Sequence, residues 1–197
     1  MTGSSQSELF PARTSLPAGF VYQEDLVSPD EEGGLLAQIA GLPLQESVYR
    51  QWTAKRRTLS FGGQYDFTEQ RLLPAEPIPQ FLHPLRAQLA AWAGIDAARF
   101  THASIAEFQR GTQLGWHRDA PDFEIIAGAS LQGMARMRFR PYPPTTGWTR
   151  AAFAIDLRPR SAYLIRDAAR WGWQHAISPT KELRYSITFR TLRPPQP

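Results

Sequence analysis

Arg184-Tyr185-Ser186-Ile187-Thr188-Phe189-Arg190 alternates polar and apolar side chains without a break. On a strand, Tyr185, Ile187 and Phe189 share one face, fit for a core, while Arg184 and Arg190, an even separation apart, share the other. One guanidinium can grip a carboxylate with two parallel hydrogen bonds, and a second can neutralise the far end of a dicarboxylate. His175 lies nine residues before Arg184, and His117-Arg118-Asp119 stands much further upstream. In an extended segment His117 and Asp119 point to one side and Arg118 to the other. Two imidazoles and one carboxylate suit non-haem Fe(II), with about three of six octahedral positions left open, whereas a structural zinc site is closed by four ligands. Holding His175 beside His117 and Asp119 requires two distant strands at one end of a pocket. A β-barrel or jelly roll supplies that arrangement.

The rest of the chain agrees with such a core. From Phe100 onward short strands are predicted near 101–109, 124–131, 134–140, 152–157, 161–166, 172–178 and 183–192, with turns at Gln132-Gly133 and from Pro141 to Gly147. Ahead of them, Ser28-Pro29-Asp30-Glu31-Glu32 is a helix start: a Ser cap, Pro at the first position and acids in the first turn, with an end near Gly41. Ile78, Phe81, Leu82, Leu85, Leu89 and Trp92 follow helical spacing up to Gly94, with a possible kink at Pro84. The predicted fold is mainly β with flanking helices (α+β), a double-stranded β-helix (jelly-roll) core buttressed by N-terminal helices. Residues 1–17, rich in Ser, Thr, Gln and Pro, read as a mobile tail, and 18–197 as one domain.

Composition narrows the chemistry. There is no cysteine, so disulfides and thiolate ligands are excluded and His and carboxylate remain as strong metal ligands. The net charge is +4, and 20 of the 22 basic residues are arginine, which suits phosphate recognition but also follows from codon bias in a GC-rich genome. No apolar run is long enough for a bilayer and no signal-like segment opens the chain, so a soluble, cytoplasmic monomer with no membrane association and no obligate protein partner is expected. His83 precedes Pro84 in the second helical pattern and His102 has no acid two positions away; both read as non-ligands.

At His117-x-Asp119, Trp173-Gln174-His175-Ala176-Ile177 and Arg184 to Arg190, with weaker support from Lys55-Arg56-Arg57 leading into Phe61-Gly62, the sequence resembles the AlkB family of Fe(II)- and 2-oxoglutarate-dependent dioxygenases. The likeness runs from about residue 18 onward. It implies that His117, Asp119 and His175 form the iron centre and that Arg184 binds the distal carboxylate of 2-oxoglutarate. It also implies that Arg190 sits near the chelating end, and that Ser186 joins them in holding the co-substrate. Implied cofactors are Fe(II), 2-oxoglutarate and O2. The implied activity is oxidative demethylation of N-alkylated bases such as 1-methyladenine and 3-methylcytosine in DNA or RNA, releasing succinate, CO2 and formaldehyde. Ala106 and Phe108 stand where the founding member has an asparagine and a tyrosine, so two co-substrate hydrogen bonds worth about 1 kcal/mol each are expected to be missing.

The segment 44–67 is the expected substrate-recognition lid. Tyr49, Trp52, Arg57 and Tyr65 are the candidate substrate contacts, since a base-modifying enzyme holds an extruded base between flat side chains and its backbone against positive charge. The ordinary alternative is that Trp52, Phe61 and Phe67 are core aromatics on a hairpin turning at Gly62-Gly63. Asp122 is set to meet a positively charged alkylated base, or is a surface carboxylate. Arg136-x-Arg138-x-Arg140 reads either as a stripe tracking phosphates or as a solvated outer face. Two further functions stay open: the same chemistry on a protein side chain or small molecule, and a non-catalytic jelly-roll module.

Overall fold

The computed structural model describes residues 16–49, 52–66, 69, 71–144, 147 and 152–194, without the side chains of 47–49 and 52–55. The expected tail up to residue 15, and the side chains of Tyr49, Trp52 and Phe67, lie outside the described residues.

Ser28 caps the first helix, α1 (Pro29–Ala40), through a reciprocal capping box: Glu31 N–H donates to the Ser28 hydroxyl and Ser28 N–H to the Glu31 carboxylate. A 3-10 turn at Gln80–Leu82 leads into α2 (His83–Ala93), which stops at Gly94 in the left-handed conformation. Pro84 does not kink this helix. It lies in the first turn, where its missing N–H costs nothing.

Ahead of α1 runs β1 (Phe20–Gln23), and between the helices come β2 (Gln45–Tyr49), β3 (Trp52–Phe61), β4 (Gln64–Asp66) and β5 (Arg71–Leu73). The seven expected strands then follow, together with one that was not among them, β7: β6 (Phe100–Phe108), β7 (Leu114–His117), β8 (Phe123–Leu131), β9 (Ala135–Pro141), β10 (Phe153–Leu157), β11 (Ser161–Ile165), β12 (Trp173–Ile177) and β13 (Arg184–Leu192), with a short helix α3 (Asp167–Trp171) before β12. The major sheet has the order β1-β11-β8-β13-β6-β3-β2, and the minor sheet the order β10-β9-β12-β7. All pairings are antiparallel. This is the mainly β, jelly-roll architecture with helices on one side.

Two cores flank the major sheet, and strand alternation decides which residue serves which. Ile187 and Phe189 of β13 pack with Ile105, Ala127 and Ala129 against Leu35, Ile39, Leu85 and Leu89 of the helices. On the inner side Phe108, Ile126 and Tyr163 meet Met137, Phe139 and Ile177 of the minor sheet, with Phe139 stacked on Phe153 at 4.5 Å. Burying each such side chain contributes about 1.5–3 kcal/mol. Among the described residues no helix is long and apolar enough to cross a membrane.

The hairpin expected to turn at Gly62-Gly63 does not form there. β3 pairs with β2 and β6, while β4 pairs with β5 in a separate two-stranded sheet, so Gly62 is where the chain leaves the major sheet. Its φ is +74°, its N–H donates to the Glu76 carbonyl at 2.6 Å, and an added Cβ would collide with the Thr101 carbonyl oxygen. Gly62→Ala is expected to destabilise the protein by about 2–3 kcal/mol, through both the strained φ and the clash, as read by urea unfolding.

Candidate metal centre and its cavity

His117 ends β7 and His175 sits in the middle of β12, directly opposite it across the strand pair. Their rings lie 4.3 Å apart, and Asp119 follows two residues after His117. The ligand-type atoms of His117, Asp119 and His175 all fall within 4.8 Å of one another. Nδ1–H of His117 donates to the Gly115 carbonyl at 2.8 Å, which fixes the tautomer and leaves Nε2 with its lone pair. Burial pushes the His175 imidazolium down to a pKa of about 3, helped by the neighbouring His117, and burial lowers His117 in the same direction. Both imidazoles are therefore neutral, as ligation requires.

Asp119 carries the clearest sign of a cation. Its Oδ1 accepts from Arg190 Nε at 2.7 Å, yet its Oδ2 is buried without a hydrogen-bond partner, 3.6 Å from His175 Nε2. Burial alone would raise this carboxyl, but the Arg190 guanidinium, with Arg170 further off, outweighs it and holds it ionised well below the usual range. A buried anionic oxygen with no partner is costly, and a divalent ion on that face would satisfy it. The donor set of two neutral imidazoles and one carboxylate thus fits Fe(II).

An arginine with no counterpart in the sequence reading holds this loop. Arg170 of α3, 2% exposed, donates to the carbonyls of Asp119, Ala120 and Phe123 at 2.7 to 3.2 Å. Of these the Phe123 carbonyl is buried, and the Ala120 carbonyl also accepts from Phe123 N–H at 3.1 Å. The signal was weak, because a five-residue helix leaves little periodicity.

The centre lines one wall of a cavity of about 720 Å³ between the two sheets. Arg184, Ser186, Thr188 and Arg190 of β13 face into it, as alternation predicted for the two arginines. Arg184 is 1% exposed; its Nε donates to the Ser130 hydroxyl at 2.9 Å, while one Nη has no partner and Phe108 lies 5.0 Å away. Burial draws its pKa down to about 10, which still leaves it cationic. His102, set aside as a non-ligand, also lines the cavity and accepts from Arg190 through Nδ1 at 3.3 Å; burial and Arg190 hold it neutral, at a pKa of about 3. Ala106 and Phe108 stand in the lining opposite Ser186 and Arg184.

Of the candidate substrate contacts, Tyr65 reaches the lining. Asp122 is near enough to raise the Tyr65 phenol, after burial does so, but lies outside the lining. Arg57 is on the other face of the sheet: it makes a two-pronged pair with Glu107 at 2.8 and 2.6 Å, and Glu107 also accepts from Gln109 and Tyr185. Its neighbour Arg56 lines the cavity instead. Arg118, in the lining, stands 3.7 Å from the centre of the Tyr142 ring, while Arg138 and Arg140, which alternate with the core residues Met137 and Phe139 and so face outward from the minor sheet, stand 5.0 and 4.6 Å from Trp116.

Set against known protein families, residues 39–190 match the 2OG-Fe(II) oxygenase superfamily. An uncharacterized protein, L905, of Acanthamoeba polyphaga mimivirus is 31% identical over 191 residues, covering 88% of this chain and 85% of its own. An Arabidopsis thaliana protein named "Alkylated DNA repair protein ALKBH8 homolog" is 26% identical over 196 residues; the match takes in 86% of this chain and only 53% of that protein. The structure of OsALKBH1 superposes with a TM-score of 0.62 over 90% of this chain and 100% of that one, at 15% identity, a likeness of fold.

Proposed function

This chain belongs to the 2OG-Fe(II) oxygenase superfamily, whose members use Fe(II), 2-oxoglutarate and O2, and we propose that it is of AlkB type and oxidatively demethylates N-alkylated nucleobases in DNA or RNA. The observation that carries the substrate class is the cavity and the cation at its lining. Arg118 holds its guanidinium 3.7 Å from the centre of the Tyr142 ring, a cation suited to a phosphodiester oxygen, beside a cavity large enough for an extruded base. The Arabidopsis relative's name points the same way.

In this reading His117, Asp119 and His175 hold the iron. Bound there, Fe(II) would activate O2, the oxidant, coupling the oxidative decarboxylation of 2-oxoglutarate to insertion of one O2 oxygen into a substrate C–H bond, the other oxygen ending in succinate. Arg184 grips the distal carboxylate, with Ser186 beside it. Arg190 orients Asp119 through Oδ1, so that Oδ2 faces the metal. The minor sheet and Phe108 exclude water. The oxidised N-methyl group is a hydroxymethyl; its N–C bond breaks, the nitrogen takes a proton and formaldehyde leaves.

Mass spectrometry of methylated DNA and RNA oligonucleotides incubated with iron and 2-oxoglutarate tests this. The expected result is loss of the methyl group, with formaldehyde and succinate in equal amounts. Succinate formation that no methylated oligonucleotide stimulates would overturn it and leave a protein side chain or a small molecule as substrate.

A further inference from the structure

The outer face of the minor sheet, turned away from the metal centre, is strongly basic. Along β9, Arg136, Arg138 and Arg140 alternate with Ala135, Met137 and Phe139, which belong to the inner core, so the three arginines point outward. Alternate residues of a strand stand about 6.6–6.8 Å apart, close to the repeat of phosphates along an extended nucleic-acid strand. A β-bulge in β7 adds an aromatic side chain to this face. Leu114 and His117 both face inward although an odd number of residues separates them, opposite Ile177 and His175 of β12. Trp116 is thereby turned out, and the Arg138 and Arg140 guanidiniums stand 5.0 and 4.6 Å from its ring. Arg118 and the exposed Tyr142 extend the set, 3.7 Å from guanidinium to ring centre. Trp116 and Arg118 also belong to the cavity lining, so the outer face and the cavity meet around the free edge of β7.

The charge on this face is one-sided. Against the four arginines stands one carboxylate among the described residues of β7, β9, β10 and β12: Asp156, opposite Arg136 and paired with it at 3.1 Å. Both partners are exposed, so the pair is weak and a phosphate can take the place of Asp156. Arg140 donates to the neutral Gln174 side chain and Arg118 to the Trp171 carbonyl. Arg138, exposed, has no hydrogen-bond acceptor among the described residues. An anionic lipid or an acidic protein would answer the charge alone. A single nucleic-acid strand also brings a short, regular phosphate repeat and flat apolar bases, which the arginine spacing and the rings of Trp116 and Tyr142 match.

We propose that the outer face of the minor sheet is a second nucleic-acid surface, apart from the cavity. On it Arg136, Arg138 and Arg140 take successive phosphates of a single strand, and Trp116 and Tyr142 offer ring faces to its bases. This rests on the reading above only in taking the partner to be nucleic acid. Binding of an unmethylated single-stranded 12-mer to the metal-free protein is followed by fluorescence anisotropy over a range of salt concentrations, for the wild type, Arg138→Gln and Arg138→Gln/Arg140→Gln. Turnover of a trinucleotide carrying 3-methylcytosine, short enough to fill the cavity without covering the face, is read by mass spectrometry.

The expected result is graded: affinity for the 12-mer falls by about threefold in the single variant and about tenfold in the double one. The slope of log affinity against log salt becomes shallower by about 0.7 and about 1.4, one phosphate for each arginine. Trinucleotide turnover stays within about twofold of the wild type. Unchanged 12-mer affinity and slope in both variants overturn the proposal, and trinucleotide turnover then leaves the nucleobase reading standing. An equal loss of trinucleotide turnover also overturns it, because the arginines would then act on the cavity. So does a loss seen with phosphatidylserine vesicles and not with the 12-mer, which makes the face a membrane contact. Graded loss of 12-mer binding with no methylated oligonucleotide turned over supports the surface and removes the nucleobase reading instead.

Discussion

Arg184→Met raises the KM for 2-oxoglutarate by about a hundredfold or more, equivalent to about 2.7 kcal/mol of binding, yet leaves the unliganded protein as stable as the wild type or more so. Both effects come from one arrangement. The Arg184 guanidinium is almost wholly buried with the Ser130 hydroxyl as its hydrogen-bond acceptor, so the unliganded protein carries an uncompensated charge. A co-substrate carboxylate compensates it through two charge-assisted hydrogen bonds, in a place where Ala106 and Phe108 offer no polar help. An apolar side chain of similar length removes the penalty and the attraction together. Thermal unfolding separates the two: the wild type gains about 2.7 kcal/mol at 2-oxoglutarate concentrations a hundredfold above Kd, with metal present, and Arg184→Met gains almost none. A retained 2-oxoglutarate-dependent shift in the variant would show that the carboxylate is bound elsewhere.

Asp119→Ala loses both metal and stability, whereas His117→Ala loses metal alone. Each removes one of three ligands, and turnover falls by about 10³-fold or more. Only Asp119 also neutralises Arg190, whose side chain is 17% exposed. Leaving that guanidinium unpaired costs about 2–3 kcal/mol, below the full penalty for a completely buried pair. Anaerobic titration with Fe(II) and 2-oxoglutarate checks the first effect, through the absence of a visible absorption band in both variants. Urea unfolding of the metal-free proteins checks the second. Equal stability of the two variants would mean that Arg190 is satisfied by His102 alone.

The sequence showed most of what local chemistry determines. The Ser28 cap, the Gly94 stop and seven of the eight strands from Phe100 onward lie where propensity and alternation put them, because each is set by near neighbours; only β7 was not expected. The period of two in β13 was enough to turn Arg184 and Arg190 to one side. What escaped depends on partners far along the chain. The phase of β3 is fixed by its register against β6, where Arg57 lies opposite Glu107, fifty residues away. A usable signal was present: Arg57 shares parity with Leu59 and Phe61, which pack on the helix side, and Arg56 shares it with Thr58 and Ser60. The aromatic content of the segment drew the reading toward Arg57 instead. Arg170 escaped for a related reason, since its acceptors are backbone carbonyls about fifty residues earlier and a carbonyl leaves no mark in a sequence.

β13 has one more consequence, for the order of assembly. In the major sheet it stands between β8 and β6, so β1-β11-β8 on one flank and β6-β3-β2 on the other are joined only through it. It is also the last strand in chain order. A chain stopped before Arg184 has two half-sheets with open edges and nothing to knit them, although the pairings within each half need no part of β13. The strand that closes the domain is the one that carries the arginines facing the metal. A chain stopped short of β13 therefore lacks, together with the strand that joins its half-sheets, both arginines proposed to serve 2-oxoglutarate and its metal.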